Sequence, residues 1–266
     1  MNTTAAKARA ALRNGRFRWL VRYELVNLVG VIFVPFFGLV FPLLMSYLLA
    51  NTALLEVPAA FRQEAVSRLV LSMLQMVPLA AVFLGHGAIY SQELEKQVPL
   101  RLELFGLTPT QQMLAKMTAT IIFMTFALAV NLGILIPTLD VLLPTPAGFG
   151  IVLLSMYLLA VILFMLAHGI ANWIRKFGPT YAVVMLLYFA FMFLGGMMGM
   201  SSSRLPGPVR FIAELLPYHY ITEDFLGVWR GESYNYAPFI QAMLLLTAVS
   251  ALVMVSSFIY RRHRSI

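Results

Sequence analysis

The sequence predicts an all-α polytopic membrane protein with six transmembrane helices, and three observations carry that reading. Of its 266 residues 61% are hydrophobic and only 11% are charged, a balance far outside that of soluble domains. Every Lys, Arg, Asp and Glu lies outside six long uncharged runs, at residues 25–55, 69–92, 117–139, 141–174, 177–203 and 237–260. A bilayer core about 30 Å thick is crossed by roughly 20 residues of helix, so each run suffices. Barrel strands would instead show alternating segments of about ten residues. The third observation is orientation. Lys7, Arg9, Arg13, Arg16, Arg18, Arg22, Lys96, Arg101, Lys116, Arg175, Lys176, Arg261, Arg262 and Arg264 all fall on one side of the spans. The other side holds only Arg62, Arg68, Arg204, Arg210 and Arg230. The richer side is cytoplasmic by the positive-inside rule, which puts both termini there.

The same asymmetry explains the net charge of +8, so membrane lipid is an expected partner and nucleic acid is not. The first uncharged run is far longer than the 7–15-residue core of a signal peptide, so the N-terminus is expected to be retained. With no cysteine, structural disulfides and thiolate metal sites are excluded.

In chain order, residues 1–24 predict a basic amphipathic helix lying in the cytoplasmic headgroup layer. Its apolar face is made by Leu12, Trp19, Leu20 and Tyr23, with Arg16 snorkelling from it; a basic topogenic leader is the alternative. The six-helix domain spans residues 25–260, and 261–266 form a cytoplasmic tail. Pro35 and Pro42 in the first run and Pro78 in the second remove backbone donors and should bend those helices, while Pro137 closes the third. Such breaks either line a substrate path or serve packing. Gly195, Gly196 and Gly199 give the fifth run a small-residue packing face.

Two connections are longer than joining helices requires. Residues 93–116 mix charge with Leu100, Leu102, Leu104 and Phe105, and Pro99 and Pro109 each suit the first turn of a short helix. This segment reads as a folded cytoplasmic docking surface. Residues 204–236 are rich in aromatics and form two amphipathic segments split by Pro217, as expected of short re-entrant helices in the outer leaflet before span six.

The chemistry of the spans is sparse. A carrier driven by an ion gradient ordinarily keeps an ionisable group within the membrane, and the runs contain only histidines, with Asp140 ending the third. No lysine stands in a phosphate-loop context, so any ATP and Mg²⁺ would be held by a separate polypeptide; no cofactor is expected on this chain. His86 and His168 are a weak candidate haem pair, and Ser201–Ser203 a weak nucleophile. Glu93, Glu95 and Glu103 lie among Lys96 and Arg101, which favours a salt-bridged docking helix over a metal site.

With these pieces in place the layout resembles the permease subunits of ABC-2-type ATP-binding-cassette transporters, over nearly the whole chain. The resemblance rests on Glu93-x-Glu95-Lys96, on 104–109 (Leu-Phe-Gly-Leu-Thr-Pro) leading to Lys116, and on Leu216-Pro217-Tyr218 followed by Phe225-Leu226 and Gly231. Gln97-Val98-Pro99 stands where the commoner pattern has Gly-Thr-Leu. The resemblance implies a homodimer or pseudo-dimer of permeases, each resting on a separately encoded ATPase subunit through a coupling helix between spans two and three. It makes Glu93, Glu95, Lys96, Pro99, Arg101, Glu103, Phe105, Pro109 and Lys116 the coupling residues, and Pro217, Tyr218 and Tyr220 an external gate. It further implies a non-enzymatic chain in the plasma membrane that exports an amphiphilic or hydrophobic substrate, with hydrophobic peptides or drugs favoured by the many Met and Phe residues. A gradient-driven carrier or channel is the main alternative, and a membrane-embedded enzyme the lesser one.

Overall fold

A computed structural model describes residues 3–197 and 204–264, with side chains described from Gly15 to Met197 and from Arg204 to Tyr260. Gly199 and Ser201–Ser203, singled out above, lie outside the described residues, as do the side chains of Lys7, Arg9, Arg13 and the tail. Among the described residues all regular structure is helical. Eleven helical segments are distinguished: α1 Thr3–Gly30, α2 Phe33–Ala50, α3 Ala59–Glu95, α4 Val98–Leu104, α5 Pro109–Thr138, α6 Pro146–Ile174, α7 Phe177–Leu194, α8 Gly207–Glu214, α9 Pro217–Glu223, α10 Phe225–Arg230 and α11 Ala237–Arg264. Six of them, α2, α3, α5, α6, α7 and α11, are long and apolar enough to cross a membrane. The chain is a multi-pass membrane protein, and an even number of crossings leaves both ends on one side of the bundle.

The second span is the axis of the bundle. Its apolar residues from Leu69 to Leu84 are buried, and α2, α5, α6 and α7 all pack on it. That is why its sequence is apolar on every side rather than on one stripe. The outer spans bury one face and expose Leu186, Phe193, Leu244 and Leu252 on the other, as a lipid-facing helix does.

Of the three prolines expected to bend the first two spans, Pro35 and Pro78 are followed by widened turns, whereas Pro42 sits in the first turn of the regular α-helical stretch Phe41–Ala50. After Pro35 the second helix widens to a π-turn over Phe36–Val40, and after Pro78 the third does so over Leu79–Leu84. Proline lacks the amide that the i→i−4 ladder needs, and the wider turn absorbs the defect. The two widened stretches pack against each other. Pro137 sits in the last turn of α5, one residue before its end.

Two boundaries differ from expectation. The first helix does not stop at residue 24; it runs on to Gly30 and breaks only at Val31 and Ile32. Its inward stripe is Leu20, Glu24 and Leu28 at helical spacing, packed chiefly on α5. Trp19 and Tyr23, expected on the apolar face with Leu20, stack on each other outside that stripe. On the far side, residues 204–236 form three short helices, not two, because Asp224 interrupts the second amphipathic segment between α9 and α10.

Helix ends follow local chemistry. Thr108 caps α5 in a reciprocal pair with Gln111, and Pro109 fills the first helical position. Thr145 caps α6 one-sidedly, accepting from the Gly148 amide at 3.1 Å, and is followed by Pro146. The α6–α11 crossing is tight: a Cβ on Gly169 would meet the Met254 backbone N at 2.8 Å, so this site requires glycine.

Candidate functional site

At the end of the bundle where the chain begins and ends, α3, α4 and α5 form a helical hairpin, and behind it lies a buried ion cluster. Lys116, in the third turn of α5, places Nζ 2.8 Å from both carboxylate oxygens of Glu24 on α1 and 2.5 Å from Glu93 Oε2 on α3. Lys116 and Glu24 are each only 4% exposed. Asn27 donates to Glu93 Oε1 at 3.1 Å, and the ammonium also lies over the Tyr90 ring. Two carboxylates against one ammonium leave a formal charge of −1 in the cluster. Burial pushes the Glu24 carboxyl up to about 7; Lys116 opposes that rise and Glu93 adds to it.

The cluster continues into the spans as a column of rings. Tyr90 stacks on His168, His168 is parallel to His86, and His86 lies flat on Phe164. His86 Nε2 and His168 Nδ1 are 3.2 Å apart and share a hydrogen bond, while Tyr90 donates to Asn172 at 3.1 Å. The two histidines therefore face each other in direct contact. A haem bound between them would need both rings to withdraw, so the pair as placed is a hydrogen-bonded couple and not an axial ligand pair.

The predicted coupling residues divide by where they point. Glu93 and Lys116 are committed to the buried cluster and offer nothing to a partner's surface. Pro99 is buried beneath Gln112, whose Nε2 donates to the carbonyls of Pro99 at 3.2 Å and Leu107 at 3.0 Å. Glu95 accepts from the Phe177 amide at 2.8 Å and so ties the hairpin to the start of α7. Glu103 stands at the rim of a cavity of about 160 Å³ between α4, α5, α6 and α11. Lys96, Arg101, Phe105 and Pro109 are exposed. Beside them the structure exposes Leu100, Leu104 and Phe105, the last two to 82% and 79%. Gln97 and Gly106, both with left-handed backbone, make the turns that hold this apolar tip out.

The predicted gate residues are interior. Tyr218 is fully buried and packs on Phe191 with ring centroids 5.4 Å apart; Pro217 opens α9 and is buried as well. Tyr220 is half-buried and donates to the Glu214 carbonyl at 2.9 Å. Trp229 donates to the Leu142 carbonyl at 2.6 Å, and Arg230 pairs with Glu64. Thus α9 and α10 are packed into the bundle, and of these three short helices it is α8 that turns large apolar side chains, Phe211 and Ile212, outward, followed by Leu215 just after its end. Asp140 takes a left-handed turn and accepts from Gln63 at 3.2 Å, a structural placement.

Sequence reasoning does not single out Glu24, Asn27 or Tyr90. One signal for Glu24 is present: it is the sole acidic residue in the first 55, set among six cations. Among the described residues no group of three or more acidic or imidazole side chains is arranged to hold a metal. Comparison with known proteins gives no match, either to a protein-family model or to a curated sequence.

Proposed function

We propose that the chain is the membrane-spanning permease subunit of an ABC-2-type exporter, lying in the plasma membrane with both termini cytoplasmic. On this reading it docks on separately encoded ATPase subunits, pairs with a second permease copy and moves an amphiphilic or hydrophobic substrate, a peptide or drug. The chain itself hydrolyses nothing. The observation that carries the reading is the hairpin: an exposed apolar tip, Leu104 and Phe105, mounted on helices that the Lys116 cluster and Gln112 hold in place. Exposed apolar groups rimmed by Lys96 and Arg101 fit a protein socket. Moving a socketed tip moves α3 and α5, the helices to which it is rigidly joined. The test is co-purification: the full chain from its native membrane should carry an ATPase subunit whose turnover it stimulates. Absence of any associated ATPase sinks the proposal.

A second reading, a gradient-driven carrier, is favoured by one specific observation, the continuous line of ionisable groups from Glu24 through Lys116 to His168 and His86. Uptake or efflux by this chain alone in liposomes under an imposed proton gradient, abolished in His168→Ala, would support it over the first.

A further inference from the structure

Beside the ion cluster, between α1, α3 and α5, lies a small space of about 10 Å³, the room that one water molecule needs. Four polar side chains line it: Glu24, Lys116, Thr120 and His86. Glu24 and His86 are only 4% and 3% exposed, and both border this one interior space. The rest of the wall is apolar, Ala119 included. A water stays in such a space where about two to four polar partners hold it.

Three of the four can hold it. The Lys116 ammonium is taken up by both Glu24 oxygens and by Glu93. Each Glu24 oxygen accepts one of those bonds and keeps a second lone pair. Thr120 gives its proton to the Lys116 carbonyl at 2.8 Å, which leaves its oxygen to accept. His86 engages His168 Nδ1 through Nε2 at 3.2 Å, and its Nδ1 has no hydrogen-bond partner among the described residues. A neutral imidazole donates at one nitrogen and accepts at the other. Whatever Nδ1 of His86 does therefore fixes what Nε2 does toward His168.

We infer that this space is a water site joining the Glu24 carboxyl to His86 Nδ1, so that the protonation of Glu24 sets the tautomers of both histidines. With Glu24 ionised, the water donates to the carboxylate and accepts from His86 Nδ1–H, and His86 Nε2 accepts from His168 Nδ1–H. With Glu24 protonated every bond reverses: the carboxyl donates to the water, the water to His86 Nδ1, and His86 Nε2–H to His168 Nδ1. One proton is gained in the change. It is taken from bulk water at His168 Nε2, each group along the line passes on the proton it held, and the bound water's proton forms the new O–H bond of Glu24. Both histidines are neutral at the start and at the end.

The groups that face Glu24 are Lys116 from α5, Glu93 from α3 and Tyr23 from its own helix. Those that face the histidines among the described residues are Tyr90 and Lys116, while α6, α7 and α11 present Phe164, Val184 and Phe258. Glu24 is thus the carboxyl that the line ends on. The site stands apart from both readings above, since no step needs an ATPase or net transport.

The experiment is solid-state nitrogen NMR of the full chain in lipid bilayers, isotope-labelled at histidine, since protonated and bare ring nitrogens resonate apart. The four histidines follow four different residues, so carbonyl labelling of glycine or of alanine picks out His86 after Gly85 and His168 after Ala167. Between about pH 8.5 and pH 5.5 Nδ1 of both rings should pass from protonated to bare and Nε2 the reverse. The midpoint should fall near 7, where burial has pushed the Glu24 carboxyl. Polarisation transferred from water should reach His86 Nδ1. In Glu24→Gln the tautomers should no longer depend on pH. Ala119→Val fills the space and should abolish both the water transfer and the pH response; Glu24→Gln carries the test alone if that variant misfolds. The inference is overturned if the tautomers are the same at both pH values, if either ring becomes doubly protonated, if water polarisation does not reach His86, or if the change survives in Glu24→Gln.

Discussion

Lys116 Nζ bridges both carboxylate oxygens of Glu24 at 2.8 Å across 92 residues of sequence, and so fastens the first helix to the third span. With Glu93 on its other side, this ammonium sits between two buried carboxylates. Lys116→Met should therefore destabilise the protein by about 3 to 5 kcal/mol, the usual effect of stranding a buried charge. The double variant Lys116→Met with Glu24→Gln should lose less than the two singles summed. Thermal unfolding of the four proteins in detergent gives the coupling; additive losses would contradict a shared cluster.

The excess negative charge has a pH signature. The Glu24 carboxyl is raised by burial to about 7 in the folded protein, above the roughly 4.3 of a free glutamate. The folded state thus holds this proton more tightly than the unfolded one. The contribution is fully present below about pH 4.3 and is lost as pH rises through 7. Hydrogen exchange of the 20–30 backbone, corrected for intrinsic rate, should show α1 loosening between about pH 5.5 and pH 8, and Glu24→Gln should flatten that trend. A slope unaltered by the substitution would assign the effect to another group.

Gly169 sets the α6–α11 crossing. An alanine there must displace the backbone at Val253 and Met254, and Gly169→Ala should cost about 1 to 3 kcal/mol through overpacking. Gly150, in the same helix, has nothing within 4 Å of the point an added methyl would occupy and is the control. Gly150→Ala should leave the melting temperature unchanged or raised.

The hairpin tip should separate docking from folding. Leu104 and Phe105 touch little of the chain, so Leu104→Asp or Phe105→Asp should leave the melting temperature within about a degree or two. If the proposed function holds, either should weaken association with the ATPase subunit by about tenfold or more, as loss of an apolar anchor does. Unchanged association in both would remove the tip from the docking surface.

The span count was legible because exclusion of charge from long runs is a property of the sequence itself, needing no tertiary partner. The short helix of the hairpin was legible too, from Pro99 and the mixed charges after it, but Pro109 opens the long third span and not a short helix of its own. What escaped was whatever depends on distant parts of the chain. Glu93 and Lys116 read as surface charges because their partner, Glu24, lies before the first span. Phe225–Arg230 is six residues long, too short to show a period. Tyr218 has the composition of an interfacial aromatic, and only the position of Phe191 makes it interior.

The paired widened turns after Pro35 and Pro78 also alter how the two spans must be read. Each adds backbone without adding a full repeat, so the face presented before it and the face presented after it are out of phase. A helical wheel drawn straight through residues 59–95 therefore assigns one half of the helix to the wrong neighbours. Pairwise cysteine cross-linking should therefore find the neighbours of residues 85–95 rotated from those that a straight wheel gives, as a reading frame slips at an insertion.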